Sequence, residues 1–149
     1  MGFLDFLFGK KKENVKQKKQ SSAGIAFGKD ADFPTFAERY AETGDITFLH
    51  FDLWERIQKH YKNRKDLESY SAAKTLCYEM IRIAPKVATR MKEDYPDSPL
   101  PNHPGYRQLA IILQNEGKIE EAIKICETGH KEGWRNDFTK RMERLKKKL

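Results

Sequence analysis

The residues best able to do chemistry are Cys77, Cys126, His50, His60, His103 and His130, scattered through a chain of 149 residues. A thiolate or imidazole acts as nucleophile, base or metal ligand only with partners at the right spacing. Here there is no Cys-x-x-Cys and no histidine pair at ligand spacing, so no metal set is expected. Gly24-Ile-Ala-Phe-Gly28-Lys29-Asp30 approaches a phosphate loop. It has three residues between its glycines where four are needed, and Asp30 stands where Ser or Thr must hold magnesium. No Gly-x-Ser-x-Gly, His-Glu-x-x-His or dinucleotide fingerprint occurs. Glu120 and Glu121 are expected on a solvated helix face, without the burial that a working carboxylate pair requires. The chain therefore reads as non-enzymatic: no catalytic residue, no metal and no cofactor.

The elements that would position any site are more legible. Tyr106, Leu109, Ala110 and Leu113 stand at i, i+3, i+4 and i+7, one face of a helix from about 105 to 116. Asn115-Glu116-Gly117 ends it, since glycine tolerates the left-handed conformation of a helix stop. Ile119, Ala122, Ile123 and Cys126 make the face of a second helix, over 119–132. Gly133 stops that helix, and Trp134 is placed to fold back over its last turn. Ala110 and Ala122 carry only a methyl group, so the two backbones can approach closely.

A worn second copy precedes this pair. Ala73 and Cys77 lie 49 residues before Ala122 and Cys126. Trp54, Ile57 and Tyr61 repeat the spacing of Tyr106, Leu109 and Leu113. Gln58 replaces the close-packing Ala110, and the turn through Asn63, Arg64, Lys65 and Asp66 is long. Pro85 stands where Trp134 stands in the later copy. Residues 87–95 read as a helical extension, and the prolines at 96, 99, 101 and 104 keep that stretch out of a helix. The two cysteines fall at the same place in each copy and read as small buried hydrophobes of a reduced compartment. His60 is expected on a water-facing side.

Residues 53–134 resemble tetratricopeptide-repeat proteins, in which helical pairs recur about every 34 residues. The resemblance implies an all-α fold: a short stack of helical hairpins with flanking capping helices at 33–43, 87–95 and 137–148. It also implies an interaction scaffold whose first helix binds a peptide or another helix. The positions that would do so are Arg107, Gln108, Ile111, Gln114 and Asn115. Members that grip a C-terminal carboxylate use Lys and Asn there; Ile111 occupies one such Asn position, which departs from that role.

The ends differ from the middle. Net charge is +7, of which residues 1–20 hold +4 and residues 139–149 hold +5, leaving −2 between them. The alternative functions are nucleic-acid binding through the basic ends and a peripheral membrane-associated adaptor; the acidic middle argues against nucleic acid as a partner. Residues 1–12 form an amphipathic basic segment in which Phe3, Leu4, Phe6, Leu7 and Phe8 precede three lysines. The run is too short for a transmembrane helix and lacks a signal peptide's leading charges. It suits docking on an anionic membrane surface, on a partner groove or on the chain's own helices. The opening Gly-Phe-Leu-Asp-Phe-Leu-Phe-Gly-Lys-Lys also resembles the start of many small bacterial proteins of unassigned role. Residues 13–31 read as a flexible linker and 32–149 as the helical domain. Within it, Thr35 and Glu38 suit a capping box, a helix through Phe36 and Tyr40 should end at Gly44, and 48–51 fits loop or helix. Asp52 is a plausible cap for the helix of Trp54. Asn136 or Asp137 should cap a last helix with Phe138, Met142, Leu145 and Leu149 as its stripe. The expected location is the cytoplasm, at the inner membrane face when residues 1–12 engage it.

Overall fold

The computed structural model describes residues 44–149, and these residues are all-α, with no strand among them. The helices are α1 (Ile46–Lys62), α2 (Leu67–Asp94), α3 (Pro104–Asn115), α4 (Ile119–Glu132) and α5 (Phe138–Lys146). None of them is long and apolar enough to cross a membrane. The expected capping box at Thr35 and Glu38, the linker and the near-phosphate loop lie outside the described residues. The chain divides into two compact units: one ends at Arg82 and the other is Ile83–Leu149.

In the first unit, α1 begins earlier than the expected cap at Asp52. Gly44 takes a positive φ of 61°, and Asp45 then caps the helix by accepting from the Thr47 amide at 2.9 Å. Residues 48–51 are therefore helical. Asp52 lies inside α1 and takes another role: its carboxylate pairs with Arg56 Nε at 3.1 Å, with both side chains buried. The inward face runs through His50, Leu53, Ile57 and His60, about one position round from the expected Trp54–Ile57–Tyr61 stripe. Trp54 and Tyr61 are half-buried at its margins. His60, expected in water, is 3% exposed, because i, i+4, i+7 from Leu53 carries it into the core.

His50 is buried too, and the loss of water around its imidazole holds the pKa down to about 4 from an ordinary 6.5. A group whose folded pKa lies below its unfolded one keeps its full contribution above the unfolded pKa. That contribution is lost as pH falls towards the folded value. The expected result is a loss of about 3 kcal/mol of stability between pH 6.5 and pH 4, at 1.36 kcal/mol per pKa unit. Denaturant titrations of the parent and of His50→Leu across that range check it. The variant should lack this part of the slope.

Asp66 opens α2 by accepting from the Ser69 amide at 3.1 Å. Ala73, Leu76, Cys77 and Met80 of α2 are wholly buried, and the same stripe continues through Ala84 and Val87. Residues 87–94 are thus the end of α2 and not a separate flanking helix. Pro85 lies inside α2 on its exposed side. A proline inside a helix costs about 3 kcal/mol. Burial of Ile83, Ala84, Val87 and Ala88 on either side opposes that cost and keeps the chain helical. Beyond Asp94 the proline stretch is non-helical until Pro104, which opens α3 at its first turn, where a missing N–H is harmless.

Candidate functional site

The second unit contains the face that the repeat spacing singles out. On α3, Tyr106, Leu109, Ala110, Ile112 and Leu113 are all fully buried; on α4 so are Ala122, Ile125 and Cys126. The two helices pack directly on each other, and α4 also packs on α5. Both turns end alike. Lys118 N–H donates to Leu113 O and Gly117 N–H to Gln114 O; Trp134 N–H donates to Gly129 O and Gly133 N–H to His130 O. This paired closure needs a left-handed residue, and Gly117 and Gly133 supply it with φ of 78° and 91°.

At the opposite end from the Gly117 turn, polar side chains clasp the proline stretch to the turn between α4 and α5. His103 caps α3, its Nδ1 accepting from the Tyr106 amide at 3.1 Å. Its own amide donates to Asn136 Oδ1 at 2.8 Å, and Asn136 Nδ2 donates back to His103 O at 3.3 Å. The His103 ring meets Tyr106 and Trp134 edge-on at 4.7 and 4.6 Å. Glu132 closes the arrangement: Tyr106 Oη donates to one carboxylate oxygen at 2.7 Å and Trp134 Nε1 to the other at 2.9 Å. Burial pushes the Glu132 carboxyl above its usual range, although both hydrogen bonds pull the other way. Burial, the Glu132 charge and their hydrogen bond all push the Tyr106 hydroxyl upward, so it remains a donor. Both oxygens of this carboxylate are engaged in holding the clasp.

Asn136, one of two expected caps for α5, is committed to this clasp. Asp137 occupies the cap position without a side-chain capping bond. Of the expected α5 stripe, Phe138 and Leu145 are buried and Met142 is half-buried, whereas Leu149 is 68% exposed. Neither cysteine forms a disulfide, both are buried, and burial lifts the Cys126 thiol to about 11, far from a working nucleophile. Among the described residues no group of three or more His, Cys, Asp or Glu could hold a metal.

The expected binding residues divide in two. Arg107 and Asn115 are exposed and Ile111 and Gln114 half-buried, along one outward arc of α3. Gln108 is displaced from that arc: it is 8% exposed, and its Nε2 finds no hydrogen-bond partner among the described residues. Position 108 falls beside Ile112 at the margin of the inward side, which its polar character concealed in the sequence. A buried donor left unpaired costs about 1–3 kcal/mol. Gln108→Leu should therefore be neutral or raise stability by about 1 kcal/mol, read as a higher denaturation midpoint at unchanged slope. Phe3, Leu4, Phe6, Leu7 and Phe8 lie outside the described residues.

Sequence reasoning missed Gly129, Glu132 and the cap at His103. Gly129 packs under the Phe138 ring, where a Cβ would lie 2.6 Å from the ring's ζ carbon. A glycine in mid-helix, at a cost of about 1 kcal/mol against alanine, was the available sign of such a contact. His103 directly before a helix-opening proline marked the cap position, although histidine is not among the usual capping residues. No family model, curated protein or solved structure matches the chain.

Proposed function

We propose that the chain is a non-enzymatic interaction adaptor of the tetratricopeptide-like type, in which α3 presents Arg107, Ile111, Gln114 and Asn115 to a peptide or helix of a protein partner. One observation carries the reading. The α3–α4 hairpin packs directly and buries both Ala110 and Ala122, while the outward arc of α3 keeps an apolar residue, Ile111, among three polar ones. That mixture suits a peptide: Ile111 takes an apolar side chain, and the two amides and the guanidinium meet backbone carbonyls or a carboxylate.

The test is affinity capture from the native cell with three baits: the full chain, the double variant Arg107→Glu/Ile111→Asp, and the chain lacking residues 1–20. The reading expects a protein recovered by the first bait and lost with the second, whose helical fold, checked by circular dichroism, should be kept because Arg107 is exposed and Ile111 only half-buried. An identical set of proteins on the first two baits would rule out α3 as the binding face. Loss on the third bait only would assign the docking to Phe3, Leu4, Phe6, Leu7 and Phe8 instead.

A further inference from the structure

The needs of the helix explain the basic residues in and after the last turn of α5, Arg144 and Lys146 to Lys148, but not those at its start. Cations near a helix C-terminus interact well with its dipole, but near the N-terminus they do not. The first turn of α5 has no acidic residue and carries Lys140 and Arg141. Lys140, Arg144 and Lys147 then stand at i, i+4 and i+7, so like charges line one outward stripe at mutually repelling spacing. Lys146 and Lys148 flank them, also exposed. Among the described residues Lys140, Lys146, Lys147 and Lys148 have no ion-pair partner. Arg144 has a single contact, to Asp137, which is long at 3.7 Å and exposed on both sides. Glu143 is the one exposed acid within the helix.

We propose that this outward stripe of α5 is a contact surface for the headgroups of an anionic lipid bilayer. The proposal does not rest on the α3 reading. The helix does not insert, because its apolar residues Phe138 and Leu145 are spent on the protein's own core. The attraction is electrostatic, with the exposed Leu149 beside the last lysines as its one apolar addition. A nucleic acid fits less well: no exposed aromatic side chain is interleaved with the basic residues of α5, and stacking on such rings is the usual companion of phosphate contacts on single strands. The chain also carries in residues 1–12 a short apolar run followed by lysines. One marginal membrane signal does not anchor a protein stably, whereas two do.

Each Lys or Arg near an anionic membrane contributes about fivefold in affinity, and the effect is screened by salt. Full-length protein should co-sediment at low salt with vesicles of phosphatidylcholine and phosphatidylserine, and not with phosphatidylcholine vesicles. Lys140→Gln/Arg144→Gln/Lys147→Gln should weaken that binding roughly a hundredfold, at about fivefold per charge. The charge-keeping variant Lys140→Arg/Arg144→Lys/Lys147→Arg should bind as the parent does, which separates charge from fold. Absence of binding by the parent overturns the proposal. So does equal binding by the Gln variant, which would leave the membrane contact to residues 1–12. If the Gln variant loses duplex DNA and keeps vesicles, the stripe is a nucleic-acid surface and the lipid assignment fails.

Discussion

Gly129→Leu should destabilise the unit Ile83–Leu149 by about 3 kcal/mol, the upper end of ordinary overpacking. Even a single Cβ at position 129 would stand 2.6 Å from Cζ of Phe138 and about as close to both ε carbons, at 3.0 and 3.1 Å. The ring has little room to withdraw, since Phe138 is 2% exposed and also meets Tyr106 edge-on at 6.1 Å. An unconstrained helical glycine gains about 1 kcal/mol on becoming alanine. Here Gly129→Ala should instead lose about 1–3 kcal/mol, because the clash outweighs the propensity. Phe138→Ala should cost about 3–5 kcal/mol by cavity formation. The double variant Gly129→Ala/Phe138→Ala should cost less than the two separate losses together, since the new methyl enters the space the ring has left. Denaturant titration of the four proteins makes the comparison. A stabilised Gly129→Ala would mean that the ring does not sit on α4 as described.

The second large effect belongs to the pair inside α1. Asp52→Ala should cost up to about 3–5 kcal/mol, because it removes the carboxylate bonded to the buried Arg56 Nε. The two side chains are 4% and 6% exposed, so water cannot take the place of the lost partner without opening the helix face. Replacing both, as Asp52→Leu/Arg56→Met, removes the charges together and should be far milder, neutral or even stabilising. Comparison of the single and double variants by urea denaturation checks the sign. An Asp52→Ala protein as stable as its parent would show that this pair does not hold α1.

The hairpin was legible where short-range rules decide it. Ile119–Glu132 begins and ends where its apolar spacing and Gly133 place it, and α3 departs by one residue at each end. Gly117 and Gly133 take the left-handed conformation that their positions required. Four features were not legible, for reasons of longer range. The sequence points to Asp52 as the cap of α1, whereas Asp45 takes that place and Asp52 lies inside the helix, buried against Arg56. Residues 87–95 read as a separate extension beyond Pro85, but continuous burial of the α2 stripe carries one helix through that proline. His60 and Gln108 carry polar side chains on inward positions, so composition placed them in water while geometry did not. Of the candidate α3 surface, Arg107, Ile111, Gln114 and Asn115 keep some exposure, as their spacing opposite Leu109 and Leu113 demanded.

The bonds between His103 and Asn136 join residues 33 apart, whereas α3 and α4 meet across a turn of a few residues at Gly117. Loop closure costs more entropy as the separation grows. The Gly117 end of the hairpin is therefore expected to zip first during folding, and the His103–Asn136 end to close over it afterwards. Opening should run in reverse. In native-state hydrogen exchange, the amides of His103 and Arg135, bonded across this late-forming closure to Asn136 Oδ1 and Pro101 O, should exchange sooner than that of Lys118, which is held by Leu113 O at the early turn. The hairpin then behaves as a zipper with a fixed base and a latched mouth, and the proline stretch is the strap that the latch holds.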